Sequence, residues 1–341
     1  MINAAVVGLG WWGGTLVEAV QGTSDKIRFV AAHTRSRSEK DQEIAKKHGL
    51  ALAASYEDLL ADPRIDAVVL ATPPSGHRDQ VVAAAKAGKH VFCEKPFMLD
   101  GKEAREAVAA IEKAGLTMGV GYNRRFHPSW LDLKQRIKSG ELGTILHFEC
   151  TMTFPNALTQ PATAWRAQRR ESPCGGLFPM GVHAVDGMID LAGEMEDVFC
   201  RSFRRVNPND NDDTTSILFR FKEGMSGYLG IMTTTAPTFR FQVYGSEGMA
   251  LLGGVTHVAG HSSAQRRSGL FGNYTISPVK GDAMEIEVPQ FDVNRAELEA
   301  FAAAASGGEP YPISHGEMIH GAAATAAIIR SAASGKTEKV S

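Results

Sequence analysis

The sequence predicts a doubly wound, parallel α/β domain followed by an α+β domain whose sheet is mostly antiparallel. Over the first 120 or so residues, short β-rich runs alternate with helical patterns, which is typical of βαβ units. A glycine-rich turn, Gly8 to Gly13, directly follows the first strand. After Tyr122, several strands follow one another without helices between them, which indicates antiparallel pairing. The predicted domains are residues 1–123 and 124–341.

The first domain is predicted from its alternating elements. The five expected strands lie near residues 2–7, 27–32, 66–71, 90–93 and 117–121. The expected helices lie at residues 13–21, 39–48, 77–87 and 102–114, with a short one around Tyr56, Leu59 and Leu60. Gly88 and Gly115 follow the last two long helices, and glycine is a favoured helix stop. Apolar strand residues come directly after each stop, which favours a parallel sheet.

The second domain has a different pattern. A helix at residues 128–139 is closed by Gly140. Alternating residues then predict strands at 145–150, 216–221, 227–233, 239–244 and 249–252. Residues 256–285 are rich in Gly, Ser and His without a clear period, which favours a long loop. Two helices, 295–305 and 316–333, follow, and we expect them to pack back toward the first domain.

Composition excludes several classes of protein. The 341 residues, 43% hydrophobic and 22% charged, suit a globular protein with two cores. A net charge of −2 argues against nucleic acid or a membrane surface as partner and favours a small molecule. Neither a signal-peptide pattern nor an apolar run of bilayer length is visible, so a cytoplasmic location is expected. Cys93, Cys150, Cys174 and Cys200 show no C-x-x-C spacing, which indicates neither a disulfide framework nor a metal site.

The glycine turn predicts a dinucleotide site. Its G-x-G-x-x-G pattern lies between a strand and a helix, where the backbone can approach a pyrophosphate and the helix N-terminus attracts the anion. The alternative is a turn that only packs helix on sheet. The residues expected at the pyrophosphate are Gly8, Gly10, Trp11, Trp12 and Gly13.

The end of the second strand bears on the choice between NAD and NADP. An acidic residue is expected there if the ribose carries a free 2′-hydroxyl, but the chain has Thr34, Arg35, Ser36 and Arg37. Arginines and hydroxyls suit a 2′-phosphate, so NADP is preferred and NAD stays possible. The alternative is a solvated basic loop in which Ser38 caps the next helix.

Lys95 is the first catalytic candidate. It follows an apolar strand at the edge of the sheet where ligands bind, and Pro96 prevents the strand from continuing. The alternative is an ordinary surface lysine at a strand exit. The other positions expected near the cofactor are Thr72, Pro73, His77 and Glu94.

Three motifs follow one another along the chain: the glycine turn, the strand end at residues 71–74 with His77, and Glu94-Lys95-Pro96. Together they resemble the glucose-fructose oxidoreductase/inositol dehydrogenase family, Gfo/Idh/MocA. The resemblance covers essentially the whole chain. It continues through residues 121–125, 165–166, 175–176, 181–183 and 244–248.

The resemblance implies a Rossmann domain followed by a domain with an open-faced, mostly antiparallel sheet. The exposed face of that sheet would build a homodimer or homotetramer interface. The resemblance also implies a catalytic lysine, which maps onto Lys95, and a histidine on the helix facing the nicotinamide, which maps onto His183. Family members act on sugars, inositols, dihydrodiols and other carbonyl or hydroxyl compounds, so no single substrate is implied.

Lys95 and His183 permit a hydride-transfer mechanism. Such a reaction needs a proton removed from a hydroxyl or delivered to an alkoxide. We expect burial beside a cationic nicotinamide to lower the pKa of Lys95, so that it can donate to the reacting oxygen. His183 would exchange the proton, since imidazole titrates near neutrality. The alternative for His183 is a core histidine bound to a backbone carbonyl.

The chain departs from the family at Pro179, where most members have an aspartate four residues before the histidine. A proline suits the first turn of a helix but cannot orient an imidazole or bind substrate. Asp186, three residues after His183, either replaces that carboxylate in part or is an outward helix residue.

Further residues are expected near the substrate, each with a structural alternative. Arg124 follows the crossover between the domains, and the alternative is an interdomain ion pair. Trp165 and Arg166 would form an aromatic wall and a donor, or a packing tryptophan beside a surface arginine. Residues 166–170 concentrate positive charge, which hints at an acidic substrate or at a solvated face. Tyr122 is a second-rank candidate.

The sequence therefore predicts an NAD(P)-dependent oxidoreductase, with NADP favoured. Its substrate is expected to be a sugar-like compound, a cyclic polyol or a dihydrodiol. Two alternatives stay open: a non-catalytic NADP-binding regulator on the same scaffold, and an NAD-assisted glycoside hydrolase.

Overall fold

A computed structural model describes residues 1–254 and 270–341, except the side chain of Trp165. The chain forms two compact units. The first unit comprises Met1–Asn123 and Asp292–Ile319, and the second comprises Arg124–Phe291 and His320–Ser341. The sequence places the same break after residue 123, but it assigns the returning segment 292–319 to the second domain.

The first unit contains a six-stranded sheet in which every neighbouring pair is parallel. The strands are β1 (Ile2–Val7), β2 (Ile27–His33), β3 (Ala51–Leu52), β4 (Ala67–Leu70), β5 (His90–Cys93) and β6 (Met118–Val120). Their order, β3-β2-β1-β4-β5-β6, reverses direction between β1 and β4. Ligands of doubly wound sheets bind at the carboxyl ends of the strands around such a reversal. The predicted fold class is confirmed.

The helices of this sheet begin and end at local signals. They are α1 (Trp11–Val20), α2 (Glu39–His48), α3 (Tyr56–Ala61), α4 (His77–Lys86) and α5 (Gly101–Ala114). Ser38 and Asp41 form a capping box at the start of α2. Gly115 ends α5 with a φ of 66°, in the left-handed region that favours glycine. These capping and stop residues therefore mark the ends of the helices more closely than the alternation of strand and helix patterns does.

The second unit is built on a nine-stranded sheet. Its helices and strands, in chain order, are α6 (Pro128–Ser139), β7 (Ile145–Thr153), α7 (Val182–Ala192), β8 (Met195–Phe203), β9 (Thr214–Phe221), β10 (Ser226–Met232), β11 (Thr238–Gly245), β12 (Gly248–Gly254), β13 (Asn273–Pro278), β14 (Met284–Ile286) and β15 (Glu338–Lys339). The strand order is β14-β13-β12-β11-β7-β10-β9-β8-β15, and among these described strands β7 and β10 form the parallel pair. The mostly antiparallel sheet is as predicted.

One face of this sheet forms the core and the other is open within the unit. In β9, Ile217 and Phe219 are buried, whereas the alternate residue Leu218 is 54% exposed. A strand with period two presents one apolar and one accessible face in this way. The open face is continued on β7 by side chains that are only partly buried, such as Glu149.

The expected loop at residues 256–285 was wrong in part. Residues 255–269 lie outside the described part of the chain, but β13 and β14 fall within the remainder. Both are short strands near the edge of the sheet, and their polar residues with Pro278 gave no clear alternation. Tertiary pairing, rather than local pattern, makes them strands.

Two long helices return after the sheet, α8 (Val293–Ala305) and α9 (His315–Ser334). In the first unit, the ring of Phe301 lies 5.7 Å from that of Phe92 on β5, and Arg295 donates to the Ala19 carbonyl at the end of α1. The boundary between the units falls within α9. None of the helices in residues 1–254 and 270–341 combines the length and the apolar character that a bilayer span needs.

Candidate active site

The three glycines of the turn have three different surroundings. Gly8 has a φ of +95°, and a Cβ there would lie 2.5 Å from the Ala71 carbonyl oxygen. A Cβ at Gly13 would lie 2.0 Å from the carbonyl oxygen of Gly8, so the helix packs directly on the turn. A Cβ at Gly10 would meet nothing within 4 Å. The open space therefore lies at the second glycine, where a pyrophosphate approaches the backbone.

The start of α1 fits the same anion. Within the described residues, Gly10 provides no side-chain cap and the first turn holds no acidic residue. The helix therefore offers backbone N–H groups and a partial positive charge. Trp11 is 47% exposed, and its ring lies 5.4 Å from that of Trp12. These residues would hold the pyrophosphate of a dinucleotide.

The first turn of α2 contains an acidic residue, Asp41, that was not predicted near the cofactor. Asp41 accepts hydrogen bonds from the Ser36 hydroxyl at 2.5 Å and the Ser38 backbone at 3.0 Å. Burial opposes ionisation of Asp41, but the hydrogen bonds from these serines outweigh it and lower its pKa. The Ser36 hydroxyl, expected at the cofactor, is thus bound to the start of α2, and the hydroxyl of buried Thr34 lies 3.2 Å from it.

The two arginines of the loop after β2 differ. Arg37 has a φ of 43° and donates from Nη2 to the Ala53 carbonyl at 2.7 Å. Arg35 is exposed and has no hydrogen bond or ion pair with any residue that the structure describes. Of the two, Arg35 has the guanidinium that is available to an anionic ligand.

His77 joins two loops of the site. Its ring is fully buried, with Nε2 2.9 Å from the Thr72 carbonyl oxygen and Nδ1 3.0 Å from that of Phe97. Burial lowers the pKa of His77, although the carbonyls oppose the shift. The predicted residue Thr72 also donates its hydroxyl to Gln80 at 2.6 Å, and Pro73 directly follows it. The ring thus connects the strand end at Thr72 to the segment after Lys95.

The Glu94-Lys95 motif sits at the carboxyl end of β5. Glu94 is 4% exposed and its Oε2 accepts from the Lys95 backbone N–H at 3.2 Å. A Cβ at Gly121 would lie 2.8 Å from Glu94 Oε1, so this glycine makes room for the carboxylate. Lys95 itself is half-buried. The neighbouring candidate Tyr122 is buried at 5% exposure.

In the second unit, His183 lies in the first turn of α7 and is 7% exposed. A single π-turn, Leu177–Gly181, leads into this helix and contains Pro179, so the proline lies in the turn before α7. A Cβ at Gly176 or Gly181 would lie 2.4 Å from Ile231 of β10. These glycines allow the segment before His183 to pack closely on the sheet.

One of the two alternatives for Asp186 was an outward helix residue, and its burial contradicts that alternative. It is 5% exposed and receives two hydrogen bonds from Arg125, at 2.9 Å from Nε and 2.6 Å from Nη2. Arg125 also contacts Asp190, one turn further along α7, at 3.0 Å. Trp130 of α6 donates to the same Asp190 at 2.8 Å. The carboxylate after His183 therefore fixes α7 in its unit.

Arg124 is a buried cation. It is 4% exposed, and its guanidinium carbon lies 4.5 Å from the centre of the Phe239 ring. Burial lowers the pKa of Arg124 to about 10, so the group stays charged. No carboxylate in the described part of its own unit forms an ion pair with it.

The segment 165–170 does not present all its charge to a ligand. Arg166 is exposed, but Arg169 forms two hydrogen bonds with Asp212, each of 3.0 Å. The proposed acidic-substrate patch is thus partly neutralised. Trp165 begins a 3₁₀ turn, and its side chain lies outside the described part of the chain.

Sequence reasoning missed Glu297. It lies on α8, is 0% exposed, and neither of its carboxyl oxygens has a hydrogen-bond partner among the residues that the structure describes. Burial, reinforced by Glu94, raises its pKa well above the usual value. The helical period could have indicated that Glu297 is buried, because it lies four residues from both Val293 and Phe301 on the apolar face of α8.

Comparisons with known proteins agree with these features. A family model described as an oxidoreductase family with an NAD-binding Rossmann fold matches residues 2–122, and a GFO/IDH/MocA C-terminal domain model matches residues 130–251. An uncharacterised oxidoreductase of Bacillus subtilis is 32% identical over 207 residues, 58% of either chain. The scyllo-inositol 2-dehydrogenase (NADP(+)) of the same bacterium is 27% identical over 295 residues, 85% of this chain and 87% of that protein.

A solved structure of levoglucosan dehydrogenase with NADH and L-sorbose is similar in fold, with a TM-score of 0.84 at 22% identity. The similarity covers 100% of this chain and 99% of that one. The two family models together match well over half of the chain, and the strand order and the glycine turn agree with the Rossmann fold that the first model describes. The chain belongs to the Gfo/Idh/MocA family of NAD(P)-binding oxidoreductases.

Proposed function

We propose that the protein transfers a hydride between a nicotinamide cofactor and a hydroxyl or carbonyl carbon of a sugar-like, cyclic polyol or dihydrodiol substrate. The observation that carries the proposal lies in the first unit. The open space at Gly10 and the Lys95 motif are both at the carboxyl ends of strands of one sheet, with β4 between them. A dinucleotide extending from the glycine turn along this edge would reach the strand that presents Lys95.

The nicotinamide, when bound, supplies the hydride acceptor or donor. Lys95 would donate a hydrogen bond, and in the reducing direction a proton, to the oxygen of the reacting carbon. Its half-buried position strengthens that interaction, because water competes less there. His183 would exchange the proton, since imidazole titrates near neutrality. Pro179 removes one polar group from the substrate wall, which favours substrates with fewer polar contacts there.

NADP is our proposed cofactor, with NAD as the alternative. Arg35 supports NADP because its exposed guanidinium has no partner in the described residues and matches a 2′-phosphate. Asp41 argues in the opposite direction, but its carboxylate is occupied by the serines of the loop.

We also propose a cytoplasmic protein that forms a homodimer or homotetramer through the open sheet face.

The test is the variant Lys95→Ala. We expect a loss of turnover of at least about 100-fold, because proton transfer by a positioned group contributes about 10²–10⁴-fold. Turnover is measured with inositols, sugars and dihydrodiols in the presence of NADP⁺ or NAD⁺. NADPH and NADH titrations should give nearly unchanged dissociation constants.

Lys102→Ala is the matched control, because Lys102 is an exposed lysine on α5. Unchanged turnover in Lys95→Ala would remove the role given to the lysine.

Pro179 motivates the second candidate, a cofactor-binding regulator. Tight NADPH binding without turnover of any substrate by the wild-type protein would favour it, and cleavage of a glycoside without net cofactor change would favour the hydrolase.

A further inference from the structure

Glu297 is a buried acid that the proposed reaction does not yet use. It lies on α8, on the same side as Leu298 and Phe301, and Phe301 packs on Phe92 of β5. Both carboxyl oxygens are shielded from solvent, and neither has a hydrogen-bond partner within the described residues. A carboxyl group in this state is expensive to ionise, since neither water nor a donor stabilises the charge.

Three charged side chains of the first unit act on this group. Glu94 and Lys95 stand at the end of β5, and Asp292 caps the start of α8. Burial has the largest effect and raises the pKa of Glu297, and the carboxylates of Glu94 and Asp292 raise it further. Lys95 acts in the opposite direction but does not compensate. Glu297 therefore holds its proton more tightly than an exposed glutamate does.

We propose that Glu297 controls the charge around the lysine motif, as a positioning residue that keeps the Glu94–Glu297 pair at one negative charge instead of two. This inference rests on the proposed role of Lys95. A carboxylate stabilises a nearby ammonium, so a second one would hold the proton of Lys95 more tightly. A protonated Glu297 leaves the lysine able to release its proton to the substrate oxygen. Ionisation of Glu297 in alkaline solution would remove this advantage.

The first measurement does not depend on turnover. Unfolding frees the buried carboxyl, which then ionises near the ordinary glutamate value of 4.5. Because the native state binds this proton more tightly than the unfolded chain, the wild-type protein loses stability as pH rises above that value. Glu297→Gln has no such proton. We expect the Tm of Glu297→Gln minus that of the wild-type protein to increase between pH 5 and pH 8.

Glu299→Gln is the matched control, because it makes the same chemical change two positions along α8 at a partly exposed residue. Its Tm difference should stay constant with pH. If Glu297→Gln does not fold, Glu297→Met removes the same ionisable group and is measured in the same way. A constant difference for the Glu297 variant would overturn the protonated state.

The second measurement is the pH profile of kcat/KM. In the wild-type protein, ionisation of Glu297 helps Lys95 to retain its proton as pH rises. The glutamine variant lacks this charge, so its alkaline limb should lie at lower pH, by about one unit. If the alkaline limb of the kcat/KM profile does not move but the Tm result is as expected, Glu297 is protonated and only its coupling to Lys95 is overturned. Failure of the proposed role of Lys95 shows separately, as turnover that persists in Lys95→Ala. Failure of the proposed function shows as the absence of turnover by the wild-type protein, which leaves the Tm result unaffected.

Discussion

Single residues explain how the lysine motif is held. Gly121 contributes by what it lacks, because a Cβ there would overlap the buried carboxylate of Glu94. That carboxylate accepts from the backbone N–H of Lys95, so its position affects the catalytic candidate directly. The sequence offered Gly121 only as part of a family pattern. The need for a glycine at this position follows from the pairing of β5 with β6, which brings the residues after the two strands together.

Gly121→Ala should therefore destabilise the first unit and displace the motif. We expect a loss of about 1–3 kcal/mol in the free energy of unfolding, as for other insertions into packed sites, and a lower kcat. Urea denaturation and steady-state kinetics measure the two effects. Gly76→Ala is the control, because the nearest atom to its Cβ would be 3.7 Å away on the flexible side chain of Gln80. Equal stability of the two variants would contradict this account.

How far the sequence predicts a site residue depends on whether its role is local. The glycines and Lys95 belong to short segments whose geometry follows from strand, turn and helix. Glu297 was not predicted, because its importance comes from a distant segment that brings it near Glu94 and Lys95. Asp186 was left with two alternatives, since its partner Arg125 is 61 residues away. Long-range pairs of this kind have no signature in one chain.

At the scale of elements, α7 is fixed by a buried ion network. Arg125 bridges Asp186 and Asp190, which lie one helical turn apart, and Trp130 binds the second of them. A Cβ at Gly187 would lie 2.6 Å from Trp130, so the same helix packs closely on α6. The helix that carries His183 therefore depends on polar contacts as well as on apolar packing.

Asp186→Asn should weaken this helix strongly. The substitution removes the charge that faces buried Arg125 and weakens two charge-assisted hydrogen bonds, while Asp190 still pairs with Arg125, so we expect a loss of about 1.5–3 kcal/mol. Chemical denaturation measures the loss. Glu194→Gln is the control, because Glu194 and its partner Lys222 are both more than half exposed, and such pairs contribute about 0–1 kcal/mol. A loss for Asp186→Asn no larger than the control's would show that the network does not stabilise α7.

Elements with strong periodicity were predicted closely, and those defined by pairing were not. The helix at Glu39–His48 has the same bounds in both accounts because Ser38 and Gly49 mark its ends. The strand β13 gave no such signal, since its stability comes from pairing with β12. The π-turn before α7 likewise follows from close packing against β10, which local propensity does not encode.

At the scale of the whole molecule, the chain order does not follow the division into units. The segment Asp292–Ile319 belongs to the first unit although 168 residues of the second precede it, from Arg124 to Phe291. The amphipathic pattern of α8 predicts a buried face but not the sheet that it covers. The return has a chemical consequence, because it brings Glu297 to the lysine motif.

The open face of the nine-stranded sheet is the basis for a prediction about assembly. Leu218 is 54% exposed at the centre of β9, on the side opposite the core. Light scattering should give two or four times the 36.6 kDa of one chain for the wild-type protein. Leu218→Glu should lower that mass toward one chain, because it places a charge on a surface that an identical chain would desolvate.

Leu131→Glu separates this effect from a general loss of apolar surface. Leu131 is 53% exposed on α6, so the substitution changes charge and accessible area by similar amounts away from the sheet. It should leave the mass unchanged. A wild-type mass of 36.6 kDa, or a Leu218→Glu variant that stays assembled, would remove the open face as the interface. A loss of mass in Leu218→Glu alone would identify this face as the contact between identical chains.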